Sequence, residues 1–438
     1  MSSGLKHVEE YFAAAKGQSL LSVSGRVKGV RGSVIQGTLP GGAVGEICLL
    51  RSAGYTDIPA EVVGFTEEGA LLFPWLEPKG LSPDTRIVPT GGHHRINVSE
   101  DLRGCVLDGF GQVMDPPEMK VSGGTSLEVD RPPTPALQRR SIEEPFVTGV
   151  RVMDALLTIG RGQRTGIFAA PGVGKSSLLA MLAGGARGLV VLALVGERGR
   201  EVKEFLTRLL PPAVRQNCIC VVATSDRPAM EKIRAARVAS TIAEYFRDQG
   251  EDVLLLMDSV TRYARALRET GLSAGEQPTR RGFPPSVFRD LPRLVERSGN
   301  GSRGSITAFY TVLVEGNDLH EPVADEMKSL LDGQIILSAD LAAAGHYPAV
   351  DVLASMSRLM PVVSDEELQK RAVRFRRLLS LYKDVNLLLK IGEYQEGSCA
   401  DTDEAIALQP RMNRFLQQAM GERSSLEQTR AALEALDG

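Results

Sequence analysis

The residues best suited to chemistry lie in the stretch AAPGVGKSS, residues 169–177. A G-x-x-x-x-G-K-[ST] loop cradles phosphate with backbone N–H groups, and its lysine and hydroxyl serve the outer phosphates and magnesium. Here Ala169 stands where that pattern has glycine. An apolar run precedes the loop and the helix-forming SSLLAMLAGGA follows it. The loop therefore opens a helix, whose positive end attracts anions. Gly172 and Gly174 are expected where a β-carbon would block phosphate or force a left-handed backbone costing about 1–2 kcal/mol. Ala170, Pro171, Val173 and Ser177 complete the cradle; Lys175 would reach the outer phosphates and Ser176 would ligate magnesium. Ala169 falls at a strand end, where ordinary negative φ suffices, so the missing glycine is a small departure.

Two carboxylates follow the same logic. In VLLLMDSVTRYA, Asp258 comes directly after four apolar residues, at the carboxyl edge of a strand, where ligands gather in open α/β sheets. An aspartate there can simply cap the next turn; with a phosphate loop upstream it is expected to complete magnesium coordination, through water. In LVGERGREVKEF, Glu197 stands just past another core strand and could polarise water for in-line attack on a γ-phosphate. Arg198 and Arg262 are candidates for neutralising phosphate charge. A surface salt bridge within ERGRE is the plainer alternative.

These groups need a scaffold. Five short apolar runs, at 165–169, 188–195, 218–224, 252–258 and 305–314, are continuous rather than alternating, as in strands covered on both faces. Helical stretches such as 229–249 lie between them, which predicts an α/β fold with a mostly parallel sheet and right-handed crossovers. Upstream, residues 20–95 are short strands cut by glycine and predict a small antiparallel β-barrel. Residues 115–145, rich in proline and charge, read as an irregular linker. Beyond 365 glycine becomes rare; 365–394 and 401–436 carry helical spacing, with SDEE at 364–367 as an N-terminal cap. The expected parts are a segment 1–19, a barrel 20–95, a nucleotide-binding domain 96–364 and a helical domain 365–438.

Composition narrows the class. The chain has 438 residues and a net charge of −3, so no global basic field recommends nucleic acid. No apolar run approaches the ~20 residues of a membrane span, and the N-terminus lacks the apolar stretch of a signal peptide. The cysteines at 48, 105, 218, 220 and 399 fit no zinc spacing and read as reduced core residues of a cytoplasmic protein.

Longer motifs point to a family. VGERGREVKEF, MDSVTRYARALRE, GFPPSVFRDLPRLVERSG and GHYPAVDVLASMSRLMP resemble rotary-type ATPases, and most closely the homohexameric ATPases of type III protein secretion. The resemblance spans about residues 20–436, and in that family the loop commonly begins with alanine. It implies a RecA-like core that binds ATP and Mg2+ through Gly172, Gly174, Lys175 and Ser176. Glu197 would be the catalytic carboxylate with Arg198 beside it, and Asp258 the metal-associated acid. Tyr347 would stack on adenine, and Arg358 would enter the neighbouring subunit's site as an arginine finger.

The resemblance also implies partners: a stator protein on the N-terminal segment, a central stalk in the ring pore, chaperone–effector complexes and the export gate, with peripheral attachment at the inner membrane. Gly199, Val202 and Lys203 depart from the ATP synthase catalytic subunit's GERTREGND, and the tail 387–418 resembles injectisome ATPases more than flagellar ones. Flagellar export is the main alternative. A hexameric nucleic-acid motor is remote, because residues 20–95 offer only Tyr55, Phe65, Phe73 and Trp75 as aromatics and no basic stripe. A non-catalytic ring subunit would typically lack Glu197.

Overall fold

The computed structural model describes residues 23–119, 121, 123–314 and 320–436. The segment 1–19, expected to bind a stator, lies outside the described residues. The chain divides into two compact units, Met1–His94 and Arg95–Gly438.

In the first unit, six antiparallel strands close a barrel: Gly25–Arg31, Val34–Gly37, Ile47–Arg51, Ile58–Thr66, Gly69–Pro74 and Arg86–Pro89. Around the barrel they run first, second, fifth, fourth, third, sixth, and the sixth pairs back with the first. Val27, Ile35, Cys48, Leu50, Val62, Leu72 and Ile87 fill the interior. Closure removes the sheet edges that a small antiparallel sheet would otherwise expose.

In the second unit, all five apolar runs are strands of one sheet. From one edge the order is Met356–Ser357, Gly333–Ile336, Arg164–Ala169, Ser305–Leu313, Asp252–Asp258, Leu189–Val195, Cys218–Ala223, Val106–Asp108 and Val113–Asp115. Every neighbouring pair is parallel except the two at the outer edges. Leu189–Val195 and Cys218–Ala223 are buried at every position, as continuous hydrophobicity requires. The helix Ala229–Gln249 covers the sheet and ends on Gly250, left-handed at φ 102°.

The tail is helical. Glu366–Ile391 begins on Asp365, whose side chain accepts the Leu368 N–H, with Glu366 and Glu367 in its first turn. The stretch 401–436 is two helices rather than one, Ala400–Leu416 and Leu426–Glu434. Ser425 starts the second with a capping box to Gln428, and such a cap favours a new helix over continuation.

Residues 115–145 are mostly irregular, yet Thr125–Glu128 pairs with Arg95–Val98. Cys399 is exposed at the start of Ala400–Leu416, which corrects its assignment to the core; the other four cysteines are buried.

Candidate active site

The loop strand Arg164–Ala169 delivers its chain to the carboxyl edge of the sheet, and Lys175–Gly185 leaves as a helix. Ala169 is fully buried and still pairs with Leu313, so position 169 belongs to the strand. Gly172 and Gly174 are both left-handed, at φ 82° and 90°. The backbone thus demands glycine at these two positions and not at 169. Val173 is buried in the core beneath the loop, so only its backbone remains for a ligand.

An open cleft of about 480 Å³ lies over this turn. Ala170, Pro171, Gly172, Gly174, Lys175, Ser176, Ser177, Glu197, Arg198 and Arg262 line it. Three sheet strands bring these residues together: the loop strand, the strand before Gly196, and the strand ending at Asp258. Gly196 is left-handed at φ 73°, and a β-carbon there would lie 2.7 Å from the Arg262 Cδ. The glycine lets the chain turn and sets Glu197 beside Arg262.

Charge is concentrated at the base. Lys175 Nζ donates to Glu197 Oε1 at 3.1 Å and also to Asp258 Oδ1. Arg262 donates to Glu197 Oε2 at 3.3 Å. Burial opposes the charge on Lys175, but the carboxylates of Asp258 and Glu197 outweigh it and hold its pKa above the ordinary lysine value. Both carboxylates are buried, and each has a cation, as buried charges require. Arg198 lines the cleft but does not join this cluster: it is 73% exposed and pairs with Glu201 at 2.9 Å.

Tyr347 sits at the rim beside Gly174, 44% exposed, with its hydroxyl donating to the Ala342 carbonyl. Arg358 is not in the cleft. Its N–H bonds Asp332 O, and the Asp332 N–H bonds Arg164 O, at the opposite end of the loop strand. Six residues at ~3.3 Å each separate that end from the loop, about 20 Å. Thr311 was missed from sequence: its buried hydroxyl donates to Asp258 Oδ1 at 2.7 Å. The one signal was a threonine interrupting an apolar run.

The oxygen donors of Ser176 and Asp258 suit a hard cation such as magnesium. Among the described residues no group of three or more His, Cys, Asp or Glu could hold a metal.

Comparison with known proteins shows the family. Residues 149–357 match the nucleotide-binding domain of the ATP synthase alpha/beta family, and residues 364–435 match the T3SS EscN ATPase C-terminal domain. The SPI-2 type 3 secretion system ATPase of Salmonella typhimurium is 50% identical over 91% of each chain. This chain belongs to the type III secretion ATPase family.

As a member of that family it is a nucleotide-binding ATPase with a barrel, a central mixed sheet and a helical C-terminal part. A flagellar relative is close too: the flagellum-specific ATP synthase of Bacillus subtilis is 46% identical over 94% of this chain and 95% of its own. The assembled ATPase EscN of enteropathogenic E. coli superposes with a TM-score of 0.90 at 43% identity, covering 94% of this chain and 100% of that one. EscN in complex with its central stalk EscO gives 0.88 over the same coverage. No described helix is long and apolar enough to cross a membrane.

Proposed function

We propose that this family member hydrolyses ATP for an injectisome, as a ring of identical subunits. The observation that carries the chemistry is the Lys175 ammonium held between Glu197 and Asp258 under the loop. Incoming phosphates compete for Lys175. As the lysine turns to them, Glu197 Oε1 becomes free to accept a hydrogen bond from water, while Arg262 holds Oε2. The oriented water attacks the γ-phosphorus in line, the bond to the ADP oxygen breaks, and the water's proton passes to Glu197. The Ser176 hydroxyl and, through water, Asp258 would hold magnesium, which would supply charge neutralisation for the phosphates. Arg262 Nε is buried with no hydrogen-bond partner among the described residues. Tyr347 stacks on the adenine.

Arg358 serves the neighbouring subunit. The ~20 Å between its end of the loop strand and the cleft, at ~3.3 Å per strand residue, exceeds the reach of an arginine side chain. Turnover therefore depends on ring assembly. The barrel, the nucleotide-binding part and the helical tail act as three domains, with a stator protein on residues 1–19 and a central stalk in the pore. Chaperone–effector complexes and the export gate are the working partners, on the cytoplasmic side of the inner membrane. The injectisome reading is supported by 50% identity to the SPI-2 enzyme; the 46% identity to the B. subtilis flagellar enzyme favours flagellar export as the second reading. Complementation separates them. The gene should restore effector secretion in an injectisome ATPase deletion and leave a flagellar ATPase deletion non-motile; the reverse pattern establishes the second reading.

A further inference from the structure

Thr311 lies within Ser305–Leu313, a strand buried at every residue but its last. An unpaired hydroxyl in such a place costs free energy, so buried hydroxyls find partners. This one donates to Asp258 Oδ1, the oxygen that also receives Lys175. The strand stands between the two that carry the site. Thr311 is level with Ile167 of the loop strand on one side, and Tyr310 is level with Met257 on the other. A second hydroxyl strengthens the joint: Thr261 Oγ1, just beyond Asp258, accepts the Leu313 N–H at 2.8 Å. Among the described residues Asp258 Oδ2 receives no hydrogen bond.

We propose that Thr311 is a positioning residue that fixes the Asp258 carboxylate through Oδ1 and reserves Oδ2 for the water shell of the metal. The inference rests on the magnesium role given to Asp258 above. Lys175 and Thr311 hold the same oxygen, but they are not equivalent. Lys175 has a flexible stem and leaves for the phosphates during turnover. Thr311 is β-branched, with few χ1 choices, and its strand is paired on both sides. Once the lysine has moved, Thr311 is the remaining side-chain partner of Asp258 among the described residues. Partners behind a metal-associated ligand typically matter by about 10–100-fold in metal affinity or activity.

The test uses the full chain and N-methylanthraniloyl-ADP, titrated by fluorescence with Mg2+ and again with EDTA. The ratio of the two affinities measures the metal's contribution without relying on turnover. Thr311→Val should lower that ratio about tenfold and leave the EDTA affinity unchanged, while Thr311→Ser retains it. Equal weakening with and without metal, or a Val ratio like wild type, overturns the proposal; so does a Ser variant that behaves like Val. Should Thr311→Val fail to give a native circular dichroism spectrum, Thr311→Ala is held to the same outcomes. Asp258→Asn separates the two levels of the argument. A preserved ratio in Asp258→Asn sinks the role of Asp258 itself; a lost ratio there with a preserved one in Thr311→Val sinks only Thr311.

Discussion

Tyr347 packs its ring against Gly174, so closely that a β-carbon at 174 would lie 3.1 Å from Cε1 and 3.2 Å from Cδ1. The candidate adenine-stacking residue thus touches the turn meant for phosphates, although 173 positions separate them in the chain (347 − 174). Gly172 differs: it is equally left-handed, but a β-carbon there meets nothing within 4 Å.

The two glycines should therefore respond unequally to alanine. Gly172→Ala meets only backbone strain, about 1–2 kcal/mol. Gly174→Ala meets the same strain and must also displace the Tyr347 ring. Melting temperature and fluorescent-nucleotide affinity should both fall further for Gly174→Ala. Equal losses would mean that the Tyr347 contact has no energetic weight.

Glu197→Gln keeps the shape of the side chain and removes its charge. Nucleotide should still bind, while steady-state phosphate release drops by about 10²–10⁴-fold, the usual weight of a general base. A variant with near-normal turnover would exclude Glu197 as the water activator.

Arg358 and Lys175 belong to different ends of the loop strand, and mixing should expose that. Arg358→Ala and Lys175→Ala rings should each be inactive, because a trans finger contributes about 10³–10⁵ in rate. Rings mixed from both variants contain some interfaces with an intact loop facing an intact finger. They should regain measurable ATPase activity, and wild-type activity should rise steeply with protein concentration. No recovery at any mixing ratio would argue against a finger acting in trans.

Asp130 anchors the linker. It pairs with Arg234, whose side chain is 1% exposed, and with Arg237 at 2.7 Å. Burial alone would raise its pKa, but Arg234 and Arg237 more than reverse that and hold it well below the usual carboxylate range. A depressed acid stabilises the fold above its unfolded pKa and loses that contribution as pH falls through the folded value. Asp130→Asn should cost about 1–3 kcal/mol, discounted because the carboxylate is 38% exposed. The melting-temperature difference from wild type should be constant from about pH 8 to 5 and shrink below about pH 4, near the unfolded aspartate pKa. A difference that does not change with pH would show that packing, not charge, sets the cost.

Local rules carried the sequence reading far. Continuous apolar runs marked five strands because a strand covered on both faces has no polar side to show. The helix Ala229–Gln249, the Asp365 cap and the glycine pair of the loop also follow from neighbours within a few residues. The resemblance to a known family supplied candidates that no local rule could, among them Tyr347 and Arg358. The tertiary structure decided what depends on residues far apart. Lys175 finds Glu197 22 positions away and Asp258 83 away, and Thr311 reaches Asp258 across 53. Strand order sets these meetings, and composition carries no record of it. The same reason explains the anchored linker, in which Asp130 meets Arg234 104 positions on. It also explains Arg358: the residue number said nothing of which end of the sheet it would occupy, and only the hydrogen bonds through Asp332 to Arg164 put it at the far end.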